Sequence, residues 1–271
     1  MQTLDALTSL FDTYQITGYI IPSNDEYFNE YTPDNAKRLQ YITNFSGSNG
    51  IAIICKNISF FFTDGRYLEQ SKRELDGKLF KIFNINDLAN FSWNEYLGSD
   101  YCLGYDPKLF TISKLNVFST IKQNLLKIAD NLVDQIWLNR ESLSSKVYIH
   151  GIEFAGQSYS EKIALCRKVL IDHSADSMII TAPDSICWLL NLRANDIPYA
   201  PLMLGKAIVQ VNQVYLFTLL SKVSQEVIDA RPDITILAEE EFTKILSKTD
   251  QLITVCNNAL FGLTICYSRP Q

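Results

Sequence analysis

The sequence predicts an α/β protein made of two related domains, each a mixed sheet flanked by helices. Three observations carry that reading. The order helix, strand, helix, hairpin occurs twice along the chain. Short apolar runs bounded by polar turns alternate with segments of helical apolar spacing. The 271 residues, 47% of them apolar, suit two domains of about 100–150 residues and exclude global disorder.

The elements follow in order. Leu4, Leu7, Leu10, Phe11 and Tyr14 recur at helical spacing. Thr17-Gly18 turns the chain into a strand, Tyr19-Ile20-Ile21, closed by Pro22-Ser23-Asn24-Asp25. Tyr41–Phe45 leads into Ser46-Gly47-Ser48-Asn49-Gly50, whose glycines read as a tight turn at positive φ. Ile51–Cys55 and Ser59–Thr63 flank Lys56-Asn57 as a hairpin. Asp64-Gly65-Arg66-Tyr67 opens a helix to Leu75, with Asp64 as its cap. Leu79–Ile85 reads as a strand, Leu103–Asp106 as a strand and turn, and Ser113–Leu132 as one long amphipathic helix.

The pattern restarts near Glu161, where Ser158 or Ser160 caps a helix running through Ile163–Ile171. A strand at Met178-Ile179-Ile180 follows, then Trp188–Leu192 leading into Arg193-Ala194-Asn195-Asp196. Ala207–Val211 and Val214–Thr218 form the second hairpin around Asn212-Gln213. Glu239-Glu240-Glu241 reads as the exposed first turn of a helix before Phe242. These elements place one domain at 1–136, a connector at 137–158, and a second domain at 159–271. The second domain is atypical towards its end, from Leu252 to Gln271, which reads as its last part or as sequence after a frame disruption.

Composition narrows the functions. A net charge of -6, shared about equally by the two halves, argues against nucleic acid, which selects clustered Lys and Arg. No apolar run approaches the ~20 residues that span a bilayer, and Met1–Asp5 lacks a signal-peptide start, so no membrane partner and a cytoplasmic location are expected. Six cysteines without a C-x-x-C, and two histidines, point to neither a disulfide scaffold nor a zinc site. There is no P-loop, no G-x-S-x-G and no H-E-x-x-H. No catalytic or metal-ligating residue can be assigned.

Two polar clusters remain. In Thr63-Asp64-Gly65-Arg66-Tyr67, Arg66 stands at a helix start, where a cation gains nothing from the dipole, so a carboxylate partner is expected. Asn191-Leu192-Arg193-Ala194-Asn195-Asp196 is either a loop fixed by an Arg193–Asp196 pair or a contact with a ligand or another domain.

Several runs, taken in order, resemble the N-terminal part of long-form Xaa-Pro aminopeptidases of the aminopeptidase P/creatinase/prolidase superfamily. They are Tyr19-Ile20-Ile21-Pro22-Ser23, Phe45-Ser46-Gly47-Ser48-Asn49-Gly50, Phe62-Thr63-Asp64-Gly65-Arg66-Tyr67, Asp134-Gln135-Ile136-Trp137, and above all Asp184–Pro201. The resemblance implies two creatinase-N-like domains followed in the family by a C-terminal "pita-bread" catalytic domain. That third domain, absent from these residues, would hold two manganese ions. No cofactor is expected in this chain. It would be inactive alone and would shape the substrate cleft and subunit contacts. Phe45, Ser46, Arg66, Asn191, Arg193 and Asp196 are the candidate cleft or contact residues. The implied partners are a C-terminal catalytic domain on the same or a separate chain, a second copy in a homodimer, and proline-containing peptides. The alternatives are a stand-alone peptide- or protein-binding module and the product of a split or decaying peptidase gene.

Overall fold

The computed structural model describes residues 2–143, 145–247 and the backbone of 253–255. The chain divides into two compact units. The first holds the residues up to Glu26 and Asp34–Glu141; the second holds Tyr27–Pro33 and the residues from Ser142 on.

In the first unit, six strands form one sheet: β1 (Gly18–Pro22), β2 (Ile51–Cys55), β3 (Ser59–Thr63), β4 (Phe80–Asn84), β5 (Leu103–Tyr105) and β6 (Leu125–Lys127). Their order is β4-β3-β2-β1-β5-β6. β1 runs antiparallel to β2 and parallel to β5, so the central strand joins a hairpin to a crossover. Both faces of the sheet are covered, which is why β1 and β3 are buried along their whole length and read as unbroken apolar runs. Side chains alternate between the faces. Tyr19, Ile21, Ala52, Ile54 and Phe61 pack with Leu7, Phe11, Leu39 and Ile42. Ile20, Ile53, Phe60 and Phe62 pack with Trp93, Phe110, Phe118 and Ile121.

The long helix expected over 113–132 does not form. Ile112–Leu115 is a short α-helix, Asn116–Asn124 a 3-10 helix, and Leu132–Ile136 a separate helix beyond β6. Phe118 and Ile121 are the buried residues of the 3-10 segment, and Leu115 packs on the same cluster. Those three are spaced by three, and the backbone departs from helical dihedrals at Phe118 (φ -98°, ψ 15°) and Ile121 (φ -123°, ψ 22°), so the segment is a run of short 3-10 turns kinked at its buried residues. Asn131 starts the later helix by accepting the Val133 and Asp134 backbone N–H groups.

The second unit repeats the scheme. Its strands are β7 (Tyr148–Ile149), β8 (Ser177–Ile180), β9 (Leu192–Arg193), β10 (Lys206–Gln210), β11 (Val214–Phe217), β12 (Ile234–Leu237) and β13 (Ile253–Val255). Five of them order as β12-β11-β10-β8-β13, and β7 pairs with β9. β8 is antiparallel to β10 and parallel to β13, as β1 is to β2 and β5. β11 and β12 are parallel, as β3 and β4 are. The two halves therefore agree in their tails as well, where their sequences do not show it. The helix Tyr159–Asp172 opens with a reciprocal capping box between Ser158 and Glu161.

Glu239 does not stand in an open charged turn. It accepts hydrogen bonds from the Tyr27 hydroxyl at 2.7 Å and from Lys206. The helix that follows is Glu241–Leu246.

A buried cation holds the first unit. The Arg38 side chain is 2% exposed and lies between two carboxylates. Its Nε donates to Asp134 at 2.7 Å and its Nη2 to Asp134 at 2.9 Å, while Nη2 also reaches Glu26. Arg140 adds a second cation on Asp134 at 2.9 Å. Burial pushes both carboxyls up, but the Arg38 hydrogen bonds and charge outweigh it, and both sit below their ordinary range. The stabilisation is therefore complete at neutral pH and is lost as pH falls below the ordinary carboxylate range of about 4. Replacing Arg38 with Met leaves Glu26 partly buried without its paired cation, and Asp134 with Arg140 alone. Urea denaturation of the Arg38→Met protein should show a loss of about 3–5 kcal/mol at pH 7. The loss should shrink as the pH is lowered towards 3. A pH-independent loss would contradict this account.

Candidate functional site

Each repeat ends its second helix in the same way. Arg38–Thr43 stops at Asn44 with φ 61°, and Pro183–Leu190 stops at Asn191 with φ 49°. Both are left-handed caps, a conformation that asparagine tolerates better than other side chains. Asn191 is one of these caps, Phe45, Ser46, Arg193 and Asp196 follow within five residues of a cap, and Arg66 stands apart, after the first hairpin.

In the first unit, Phe45 turns inward at 1% exposure and packs edge-on against Phe61 and Tyr67. Ser46 turns outward and delivers its backbone N–H and its hydroxyl to Glu74, at 2.7 and 2.8 Å. Gln70 donates to both Ser46 Oγ and Glu74. Burial pushes the Glu74 carboxyl up, but these donors outweigh it and hold it below its ordinary range. The turn Gly47–Gly50 does not use positive φ. Its glycines serve close approach instead. A Cβ on Gly47 would lie 2.7 Å or less from the Phe45 ring and 2.8 Å from Tyr67; one on Gly50 would lie 2.7 Å from Phe61.

Arg66 finds its carboxylate two residues away. Its Nε and Nη2 donate to Asp64 at 3.0 and 2.8 Å, and Asn49 donates to the same Asp64 at 2.7 Å. These donors, Arg66 first, hold the Asp64 carboxyl well below its usual range. Asp64 also accepts the Arg66 backbone N–H, so it fixes the turn; the helix cap itself is Tyr67, without a side-chain bond. Arg66 remains 72% exposed, beside the Tyr67 ring. Ser46 with Glu74, Asp64 with Arg66, and Tyr67 with Ser48 thus form polar pairs whose directions are fixed by their mutual bonds.

In the second unit, the expected Arg193–Asp196 pair does not form. Asp196 is fully buried and pairs with Lys222, itself 2% exposed. Asp196 also accepts the Leu204 backbone N–H at 2.7 Å and the Ser145 hydroxyl. Three inward donors outcompete a partner on the loop surface, so Asp196 is a structural anchor. Arg193 instead turns its Nη1 onto the carbonyls of Cys187 and Leu192. Asn191 accepts from Lys162 Nζ at 2.7 Å, donates to Gln157 at 2.9 Å, and offers its carbonyl to Arg231 and to His150 N–H.

Sequence reasoning assigned no site role to Lys162 or Arg231. Lys162 is 2% exposed and donates to the Trp188 carbonyl at 2.9 Å, with its ammonium 4.6 Å from the Trp188 ring centre. Arg231 donates to Leu190 and Asn191 carbonyls. Burial first, and the Arg193 charge second, push the Lys162 ammonium down. A lysine directly after the Ser158–Glu161 box was the one sequence signal that marked Lys162 as lying in the first helical turn. Nothing local pointed to Arg231.

Comparison with known proteins fits this doubled arrangement. The Creatinase/Prolidase N-terminal domain family matches residues 4–136 and, in a second form, residues 139–264. The chain belongs to this family twice over, as two creatinase/prolidase N-terminal domains in tandem. It is 31% identical to aminopeptidase P1 of Lotus japonicus over 95% of its length and 42% of that protein. It is 36% identical to a probable Xaa-Pro aminopeptidase P of Paracoccidioides lutzii over 83% of its length and 38% of that protein. The X-prolyl aminopeptidase of Caenorhabditis elegans, described as a cytosolic enzyme with a di-nuclear active site, superposes with a TM-score of 0.87 at 25% identity. That match covers 97% of this chain and 47% of the nematode one. The chain thus spans about two fifths of the curated relatives and corresponds to the N-terminal part of Xaa-Pro aminopeptidase-like proteins.

The described residues do not fit a two-metal centre. Among them no three His, Cys, Asp or Glu side chains converge. His150 lies against Phe154, and His173 bonds through Nδ1 to the Val169 carbonyl at its helix end. The Cys187 thiol is buried, pushed up by that burial, and accepts the Met203 N–H, which is a packing role. No helix is long and apolar enough to cross a membrane among the described residues.

Stability measurements should separate four of the six candidates. Asp196→Ala strands the buried Lys222 and should cost about 3–5 kcal/mol in urea denaturation. Phe45→Ala empties a full ring and should cost about 3–5 kcal/mol. Arg66→Ala and Ser46→Ala should leave the urea midpoint close to that of the parent chain. A large loss from Arg66→Ala would show that the exposed cluster holds the fold.

Proposed function

We propose that this chain is the non-catalytic N-terminal portion of an Xaa-Pro aminopeptidase-like metallopeptidase. One observation carries the reading: the matches run along nearly all of this chain but less than half of each relative. The parent reaction would release the residue that precedes proline at a peptide N-terminus. The two manganese ions that the family implies belong, on this reading, to a catalytic portion beyond these domains, on the same or a separate chain. The role of the tandem domains is to wall the substrate cleft, restrict it to short peptides and make subunit contacts. The cytosolic description of the nematode enzyme supports a cytoplasmic location.

Arg66 and Arg193 suit that role for different physical reasons. Arg66 is exposed and oriented by a bidentate bond to Asp64, so little side-chain freedom is lost on contact. Arg193 is half-exposed and fixed by bonds to the Cys187 and Leu192 carbonyls at the helix end. Positioning groups of this kind act through geometry, and small displacements are costly to turnover.

The test uses these domains joined to their catalytic portion. Arg66→Ala and Arg193→Ala should each lower Xaa-Pro turnover by about 10-fold or more, with an unchanged urea midpoint for Arg66→Ala. Parent kinetics in both variants would overturn the cleft role.

A further inference from the structure

The end of the Pro183–Leu190 helix carries more positive charge than its surroundings balance. Lys162 and Arg193 both donate to carbonyls of its last turn. A helix C-terminus supplies roughly half a negative charge. Two full cations therefore leave an excess of about +1.5 there. Arg231, the third cation at this end, has Asp233 and the Tyr159 ring beside it. Lys162 and Arg193 have no such carboxylate: neither forms an ion pair among the described residues. Asp196, the acid nearest Arg193 in sequence, is spent on Lys222, and Glu161, next to Lys162, accepts the Ser158 N–H and hydroxyl instead.

Arg193 also keeps donors in reserve. Its two hydrogen bonds both use Nη1, and the edge formed by Nε and Nη2 bonds to nothing among the described residues. That edge is the two-donor fork that grips a carboxylate side-on. Trp188 follows Cys187, whose carbonyl Arg193 holds, and is 51% exposed although it is a large ring, with the Lys162 ammonium 4.6 Å from its centre. An exposed indole locked by its own helix is a stacking wall with little freedom to lose.

We propose that the free edge of Arg193, at the helix end that also carries Lys162 and Trp188, forms a carboxylate-binding site in the second unit, whose ligand is the C-terminal carboxylate of a short peptide. The choice of a peptide as the source rests on the cleft role proposed above; the carboxylate chemistry rests on this chain alone. One singly charged ligand neutralises most of the local excess, and the flat fork matches its two oxygens.

The experiment is a titration of the 15N-labelled chain, followed by NMR through the Trp188 indole N–H and the Arg193 Nε–H. The probes are Ala-Pro-Phe with a free C-terminus, the same peptide as its C-terminal amide, Asp-Pro-Phe amide, and inorganic phosphate. The free acid should bind at least about 10-fold more tightly than Ala-Pro-Phe amide, since a charged hydrogen-bonded contact is lost. Asp-Pro-Phe amide binding as well as the free acid would keep the carboxylate site and move its source to an acidic side chain. Arg193→Gln should abolish the preference, and Arg193→Lys, which keeps charge without the fork, should restore only part of it. Equal binding of Ala-Pro-Phe as acid and amide, or tighter binding of phosphate, would overturn the site. The unmutated chain decides this even if Arg193→Gln disturbs the helix end. Turnover of the joined enzyme tests the cleft role separately, so either can fail without the other.

Discussion

The constraint on which both units depend is an asparagine forced into the left-handed conformation at the end of the second helix of each repeat. Asn44 and Asn191 each stop a helix within one residue and send the chain towards the hairpin that builds the sheet. At Asn191 the stop is held by four contacts, from Lys162, Gln157, Arg231 and His150. Lose that turn and the following strand cannot reach its place beside β7.

From this shared turn the two units diverge in charge. In the first, a carboxylate, Glu74, collects the donors of the turn. In the second, three cations collect on the carbonyls of the helix end. The same backbone geometry therefore presents an acid-organised surface in one unit and a base-organised one in the other. Arg66 is the exposed cation of the first, balanced by its own Asp64; Arg193 is the half-exposed cation of the second, without a carboxylate. The two units share a scaffold and carry different loop residues, which give each its own chemistry, as loops on a rigid frame allow.

Much of this was legible in the sequence where the signal is local. The hairpins at Lys56-Asn57 and Asn212-Gln213 are two polar residues between apolar runs, and both form. The Ser158 cap is written in four residues. The 3-10 stretch at Asn116–Asn124 was not legible, because Phe118 and Ile121 fit a helical period nearly as well as a period of three. The Asp196–Lys222 pair spans 26 residues, and no spacing rule announces such a contact. Nor does sequence reveal that Tyr27–Pro33 belongs with the second unit, where Tyr27 bonds to Glu239. Of the site, the loops were visible as polar clusters. Which side chains face inward was not, since that depends on the donors waiting beneath them: Asp196 is an anchor and Arg193 is not its partner.

The measurement that bears most directly on the account is the mass of the native gene product, by immunoblot against these two domains in the cells that make them. The account predicts a band well above the 30.9 kDa of this chain, at about twice that value, given the share of the relatives that it covers. A single band at 30.9 kDa would contradict a catalytic portion on the same chain.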